Sequence, residues 1–229
     1  MPLDLKRVKA ICFDVDGTLS DTDDQFVRRL VRILSPLGFL LGEKNAQRIA
    51  RKLVMLTEGP GNWIYSLADR IGWDGKIVAL GDKLYELGIG ANGQPFLLIS
   101  GVREMLAALY NHYPLSIVSA RGQKSTGRFL LQFELVQYFS AVATGQTCLH
   151  TKPYPEPIEW VAERMGVTPA SCLMIGDTPI DILTGKKAGA QTVGVLCGFG
   201  EERELIRAGA DLILKNTTDL TALFAQITA

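Results

Sequence analysis

The stretch Ile11-Cys12-Phe13-Asp14-Val15-Asp16-Gly17-Thr18 constrains the fold of this chain more than any other. The apolar run from Val8 to Phe13, short and bounded by charges, predicts a buried strand that delivers two carboxylates at its carboxyl end, the edge where open α/β sheets keep their ligand crevice. Side chains alternate along an extended chain, so Asp14 and Asp16 project to the same side. Gly17 lets the chain leave the strand sharply, and Thr18 offers a hydroxyl to pin the turn. Alone, the stretch also fits an ordinary strand ending in a polar corner. The rest of the chain decides between the two.

From about Asp21 to Ala91 the texture is helical, with no convincing strand. Phe26, Leu30, Ile33 and Leu34 make one apolar face, Ile49, Leu53 and Leu56 begin another, and Trp63 to Ile71 and Ile77 to Leu87 read as two more helices. Ser20-Asp21 and Asn92-Gly93-Gln94-Pro95 are turn-rich segments of the kind that join domains. Residues 20–92 therefore read as a helical cap domain inserted into a core made of 1–19 and 93–229.

After the insert the α/β pattern resumes. Gly101 to His112 predicts an amphipathic helix with Val102, Met105, Leu106 and Leu109 inward, followed by a strand at Leu115–Val118 that ends on Ser119. A helix from Lys124 to Phe133, a small strand at Ala141–Ala143, and a proline-rich corner at Lys152-Pro153-Tyr154-Pro155-Glu156-Pro157 come next. The prolines fix the local backbone and so hold Lys152 in place ahead of a helix running to Met165. The strand Cys172–Ile175 ends in Gly176-Asp177-Thr178-Pro179-Ile180-Asp181, where Thr178 caps a helix beginning at Pro179 and Asp181 takes its third position. Strands at Thr192–Leu196 and Asp211–Leu214, with a helix from Glu201 to Arg207 between them, complete the pattern. The fold class is α/β: a doubly wound, mostly parallel, Rossmann-like core sheet with an inserted α-helical cap.

Asp14 with Asp16, Ser119, Lys152, and Asp177 with Asp181 all stand at strand ends or just after them, and a parallel sheet brings those ends to one edge. Carboxylates crowded there repel one another unless a cation compensates, and an oxygen-rich donor set with few imidazoles favours magnesium over zinc. Lys152 adds a positive charge and Ser119 a donor, which together suit a tetrahedral anion.

These four motifs, in this order and spacing along nearly the whole chain, resemble those of the haloacid dehalogenase superfamily, in its phosphoglycolate-phosphatase-like branch; the insert resembles that family's first cap type. The gap from Ser119 to Lys152 is too short for the other type. The resemblance implies a magnesium-dependent phosphatase acting on a small phosphomonoester, phosphoglycolate-like or a sugar phosphate. Asp14 would be the nucleophile that forms an aspartyl-phosphate, and Asp16 the acid and base. Magnesium would be held by Asp14, the main-chain carbonyl of Asp16 and Asp177, with Asp181 supporting the ion through water or orienting Lys152. Ser119 and Lys152 would hold phosphoryl oxygens, with Thr18, Ala120 and Arg121 among the substrate contacts. Many relatives carry Asn after the second-motif hydroxyl; this chain has Ala120-Arg121-Gly122. In the cap, Thr57 to Trp63 is a glycine-rich break where Asn62 offers a polar contact and Trp63 an apolar wall, and Arg28, Arg29, Arg32, Arg48, Arg51 and Lys52 are basic.

Two alternatives share these residues: a phosphosugar mutase of the same family, and a non-catalytic binding or regulatory protein on this fold. Asp16 argues against dehalogenating and phosphonate-cleaving relatives, which replace it. Composition removes other classes. Lysine plus arginine equals aspartate plus glutamate, 24 each, so no net field recruits nucleic acid or an anionic membrane. Cys12, Cys148, Cys172 and Cys197 form no CxxC pair, and no apolar run approaches a membrane span, which together predict a cytoplasmic protein; a monomer or homodimer is expected. His112 sits at a helix end and His150 lacks a Cys or Asp constellation, so both are expected to be structural.

Overall fold

The structure is a computed structural model that describes residues 3–21 and 96–228. The expected cap over 20–92, apart from Ser20 and Asp21, lies outside the described residues, and so do Asn62, Trp63 and the basic residues of the insert.

Six strands run β1 (Ala10–Phe13), β2 (Leu115–Val118), β3 (Phe139–Ala143), β4 (Cys172–Gly176), β5 (Gln191–Val195) and β6 (Leu212–Leu214). They form one sheet in the order β3-β2-β1-β4-β5-β6, every neighbouring pair parallel. The order reverses between β1 and β4, which makes the carboxyl ends of these two strands the topological switch point. Among the described residues the helices are α1 (Val102–Tyr110), α2 (Gln123–Gln132), α3 (Glu156–Arg164), α4 (Pro179–Lys187), α5 (Glu202–Ala208) and α6 (Leu220–Thr228).

Alternation along the strands sorts the core into two layers. Ile11, Phe13, Ile117, Leu173, Ile175 and Val193 face one side, where α1, α2 and α6 supply Met105, Leu106, Phe129, Leu220 and Phe224. Ala10, Cys12, Val118, Ala143, Cys172 and Met174 face the other, covered by Ile158, Val161 and Ala162 of α3. Both faces are thus buried, which is why these strands read as continuous apolar runs rather than alternating ones. The second layer uses smaller side chains.

Most boundaries shift by one or two residues from the sequence reading, and two of the shifts have a visible cause. Strand β1 starts at Ala10 rather than Val8, because Leu5–Arg7 closes into a 3-10 turn and the Val8 amide bonds back to the Leu5 carbonyl. Strand β3 begins two residues earlier than expected, at Phe139, an extension supported by pairing with Leu115. Helix α6 was not expected at all; it buries Leu220 and Phe224 against the first layer. No helix among the described residues is long and apolar enough to cross a membrane.

The two chain ends that flank the insert are tied together. Ser20 bridges Leu98 in antiparallel fashion, the Asp21 amide donates to the Leu97 carbonyl at 3.0 Å, and the Ile99 amide donates to the Leu19 carbonyl at 3.0 Å. The chain therefore leaves the core and re-enters it at one place, immediately after the Asp14-Val15-Asp16-Gly17-Thr18 turn.

Candidate active site

Asp14 follows β1 and remains fastened to the sheet, its amide donating to the Ile175 carbonyl at 2.9 Å. Its carboxylate is buried, and Oδ1 accepts from Lys152 Nζ at 2.7 Å. Lys152 lies in the loop between β3 and α3, and its side chain is only 5% exposed. The same Nζ donates to Asp181 Oδ1 at 2.5 Å, so one ammonium joins two buried carboxylates. Asp181 is the third residue of α4, and its Oδ2 accepts from both the amide (3.0 Å) and the hydroxyl (2.7 Å) of Thr178 at the helix start. The local cap and the long-range ion pair thus use different oxygens of one side chain. Asp181 is thereby brought into direct contact with Lys152.

Asp177, beyond the end of β4, is fully buried. Its Oδ1 accepts from the Thr18 hydroxyl at 3.3 Å and its Oδ2 from the Phe199 amide at 2.8 Å. Thr18, expected among the substrate contacts, is itself fully buried, and its carbonyl accepts from the Thr217 hydroxyl at 2.6 Å. The turn places its hydroxyl against Asp177 as a brace. Gly17 is required at that turn: its φ is +69°, and a Cβ there would run into the Asp177 carboxylate, as would one on Gly198. The Phe199 amide is a part of the site that sequence reading missed. Its signal was faint, a glycine-spaced run Cys197-Gly198-Phe199-Gly200 after β5, and a backbone donor leaves no mark in residue identity.

Asp14, Asp177 and Asp181 each present a carboxylate oxygen within 4.8 Å of the others. The Asp16 carboxylate is not in that group among the described residues; it is turned to Arg121, whose Nε donates to Oδ2 at 3.0 Å and whose Nη2 pairs with Oδ1. Ser119, just past β2, is buried and accepts from the Arg121 amide at 3.2 Å, while Ala120 beside it is exposed. The Arg121 side chain is thus largely buried. It closes on the carboxylate expected to be the acid and base.

The electrostatics show a shortage of positive charge. Burial raises the Asp14 carboxyl to about 7; Lys152 pulls it down, and Asp181 and Asp16 push it up. For Lys152, burial works against the ammonium, yet Asp14 and Asp181 outweigh it and hold the group well above the ordinary lysine value. Among the described residues, Lys152 with three buried carboxylates leaves the cluster net negative. An oxygen-only donor set of this kind fits a hard divalent cation. His150 serves the fold instead. Its amide donates to Glu156 Oε2 at 2.9 Å and its Nδ1 lies 2.6 Å from Oε1, tying the Lys152 loop to the start of α3.

Known proteins resemble this one along most of its length. A phosphoglycolate phosphatase of Photorhabdus laumondii is 28% identical over 94% of this chain and 92% of its own. One of Neisseria gonorrhoeae is 28% identical over 86% of this chain and 84% of its own. Among solved structures, a haloacid dehalogenase family hydrolase from Deinococcus radiodurans R1, with bound phosphate and sodium, superposes with a TM-score of 0.71 at 23% identity, covering 97% of both chains. The model of the haloacid dehalogenase-like hydrolases matches residues 11–195, from the first residues of β1 to the end of β5, a span that holds Asp14, Asp16, Ser119, Lys152, Asp177 and Asp181. The chain belongs to the haloacid dehalogenase-like hydrolase family.

Proposed function

We propose that this hydrolase is a phosphatase that releases a small alcohol from its phosphomonoester through a phosphoenzyme on Asp14. The observation that carries the reading is Lys152 Nζ joining Asp14 and Asp181 beside Asp177 at the switch point. This is a nucleophile, a phosphoryl-oxygen ligand and a cation cradle in one buried crevice. Asp14, Asp177 and the main-chain carbonyl of Asp16 would hold magnesium, with Asp181 in support. Bound there, magnesium would neutralise phosphoryl oxygens and stabilise charge in the transition state.

The residues of the chain perform the rest. An Asp14 oxygen attacks phosphorus while the ester P–O bond breaks, and the leaving oxygen takes a proton from Asp16. Water then attacks the aspartyl-phosphate, gives its proton to Asp16, and the P–O bond to Asp14 breaks, returning both carboxyls to their starting state. Ser119 and Lys152 hold the phosphoryl oxygens through both displacements, with donors placed before charge develops. Thr18 and the Phe199 amide keep Asp177 in register.

The substrate class follows the relatives, which carry the name phosphoglycolate phosphatase; a sugar phosphate is the other member of the class. The insert 20–92 acts as the cap of a core made of 1–19 and 93–229, a division supported by the pairing of Ser20 with Leu98. We assign Asn62, Ala120 and Arg121 to the substrate contacts.

The test is phosphate release from a generic aryl phosphate and a panel of metabolite phosphomonoesters with magnesium, combined with acid quenching to trap an acid-stable phosphorylated protein adduct. Wild-type protein turns over at least one of them, and Asp14→Asn forms no adduct and is close to inactive. Full turnover by Asp14→Asn, or by protein stripped of divalent metal, overturns the reading.

A further inference from the structure

Arg121 occupies a position that the phosphatase chemistry alone does not explain. Its backbone is pinned on both sides: its amide donates to Ser119 Oγ at 3.2 Å, and its carbonyl accepts from the Gly145 amide at 3.0 Å. Its guanidinium lies 4.9 Å from the centroid of the Phe96 ring and 5.9 Å from that of Phe129. Those rings meet edge to face, and Gln132 fixes Phe96 by accepting from its amide at 3.2 Å and donating to its carbonyl at 2.9 Å. A cation framed this way is partly desolvated and held in one plane.

In that plane it grips Asp16 in a two-point fork, and a donor remains: Nη1 is buried and has no hydrogen-bond partner among the described residues. A buried donor left unsatisfied is costly, and its persistence calls for an explanation. In the proposed reaction Asp16 faces the leaving oxygen, so Arg121 stands on the leaving-alcohol side of the crevice. Lys152 is committed to Asp14 and Asp181 and serves the phosphoryl end. Of these two cations, Arg121 is the one placed to receive a second anionic group on the substrate. The group it holds now is a planar two-oxygen carboxylate. A substrate carboxylate has the same shape and charge as the Asp16 carboxylate and can take its place in the fork.

We propose that Arg121 is a specificity-determining residue that exchanges the Asp16 carboxylate for a carboxylate on the leaving alcohol, so that an acidic substrate both docks and releases Asp16 toward the bridging oxygen. This rests on the phosphatase reading and narrows its substrate class to phosphomonoesters of hydroxy acids. Neutral esters leave Arg121 on Asp16 and are turned over slowly.

The experiment compares kcat/KM for 2-phosphoglycolate and for ethyl phosphate, which has the same reach without the carboxylate, in wild type, Arg121→Met and Arg121→Lys. Wild type prefers the acid. In Arg121→Met that preference falls roughly 10- to 100-fold, as loss of a charge-assisted fork requires, through a lower value for the acid and a higher one for ethyl phosphate. Arg121→Lys, a point charge without the fork, recovers part of the preference. As a measurement that needs no variant, glycolate inhibits wild-type turnover of an aryl phosphate at least tenfold more strongly than ethylene glycol does. An unchanged preference in Arg121→Met, equal losses on both esters, or equal inhibition by the two alcohols overturns the assignment while leaving a phosphatase. No turnover of any of these esters by wild type with magnesium overturns the phosphatase reading and this inference with it.

Discussion

Replacing Lys152 by methionine removes the ammonium that compensates Asp14 and Asp181 while keeping most of the side-chain volume. The three side chains are 5%, 7% and 0% exposed, so little water can stand in for the lost charge. Breaking a buried ion pair at one partner costs about 3–5 kcal/mol. A second argument bounds the cost from above. A carboxylate in distress can take a proton, and for a group with an ordinary value near 4 that costs about 4 kcal/mol at pH 7, at 1.36 kcal/mol per unit. If one carboxylate protonates and shares its proton with the other, the loss is roughly 3–4 kcal/mol, or on the order of 6–16 °C in Tm for a protein of this size. The sign with pH follows. A carboxyl whose folded value lies above its unfolded one destabilises the fold at neutral pH, and that penalty fades as pH falls toward 4. Asp14 already lies in this direction in the wild type, at about 7. The difference in Tm between wild type and Lys152→Met should therefore be large at pH 7 and less than half as large at pH 5, both in chelator. Added magnesium should restore more stability to the variant than to the wild type, because it supplies the missing charge. Calorimetry with and without chelator measures all of this. Equal Tm values at pH 7 in chelator, or a gap that widens on acidification, would refute the reasoning.

Two further outcomes separate the roles of neighbouring carboxylates. Asp16→Asn should retain the magnesium-induced rise in Tm while turnover falls at least ~100-fold, and Asp177→Asn should lose both; the reverse pattern would mean that the metal and proton-transfer roles have been exchanged. Away from the site, burial raises the Asp211 carboxyl, but Lys186 and the amide and hydroxyl of Thr192 prevail and hold it below the usual range. That stabilisation is present above the ordinary carboxylate value and is lost as pH falls below it. Asp211→Asn should cost about 1–3 kcal/mol in urea unfolding at pH 7, with the gap closing below about pH 4; a gap independent of pH would show that the side chain matters only for packing.

What the sequence determined by itself is what short-range physics controls. Apolar runs such as Ala10–Phe13 and Cys172–Ile175 are strands buried on both faces, and the residues after such strands place Asp14, Ser119 and Asp177 at the carboxyl edge. Thr178, Pro179 and Asp181 spell out a helix start within four residues, and the helix begins at Pro179. These signals are local, since backbone preference and side-chain period act over a few positions. Helix α6 does carry a local start signal, the Asn216–Asp219 capping box of the 3-10 turn that leads into it, but its stability comes from burying Leu220 and Phe224 against β-strands far away in sequence.

Only the tertiary structure decided which side chains meet. Arg121 could have faced solvent or substrate, and it grips Asp16, 105 positions away. Thr18 could have faced the crevice; with Gly17 at positive φ it turns behind Asp177 and braces it. The Phe199 amide finds Asp177 because β5 lies next to β4, a neighbour relation that exists only once the sheet is assembled. An ion pair or a buried hydrogen bond needs a partner at about 3 Å with water excluded, and a position in the chain specifies neither. Folding supplies both by bringing the strand ends to one edge, so residue types announced the chemistry here while packing assigned the partners.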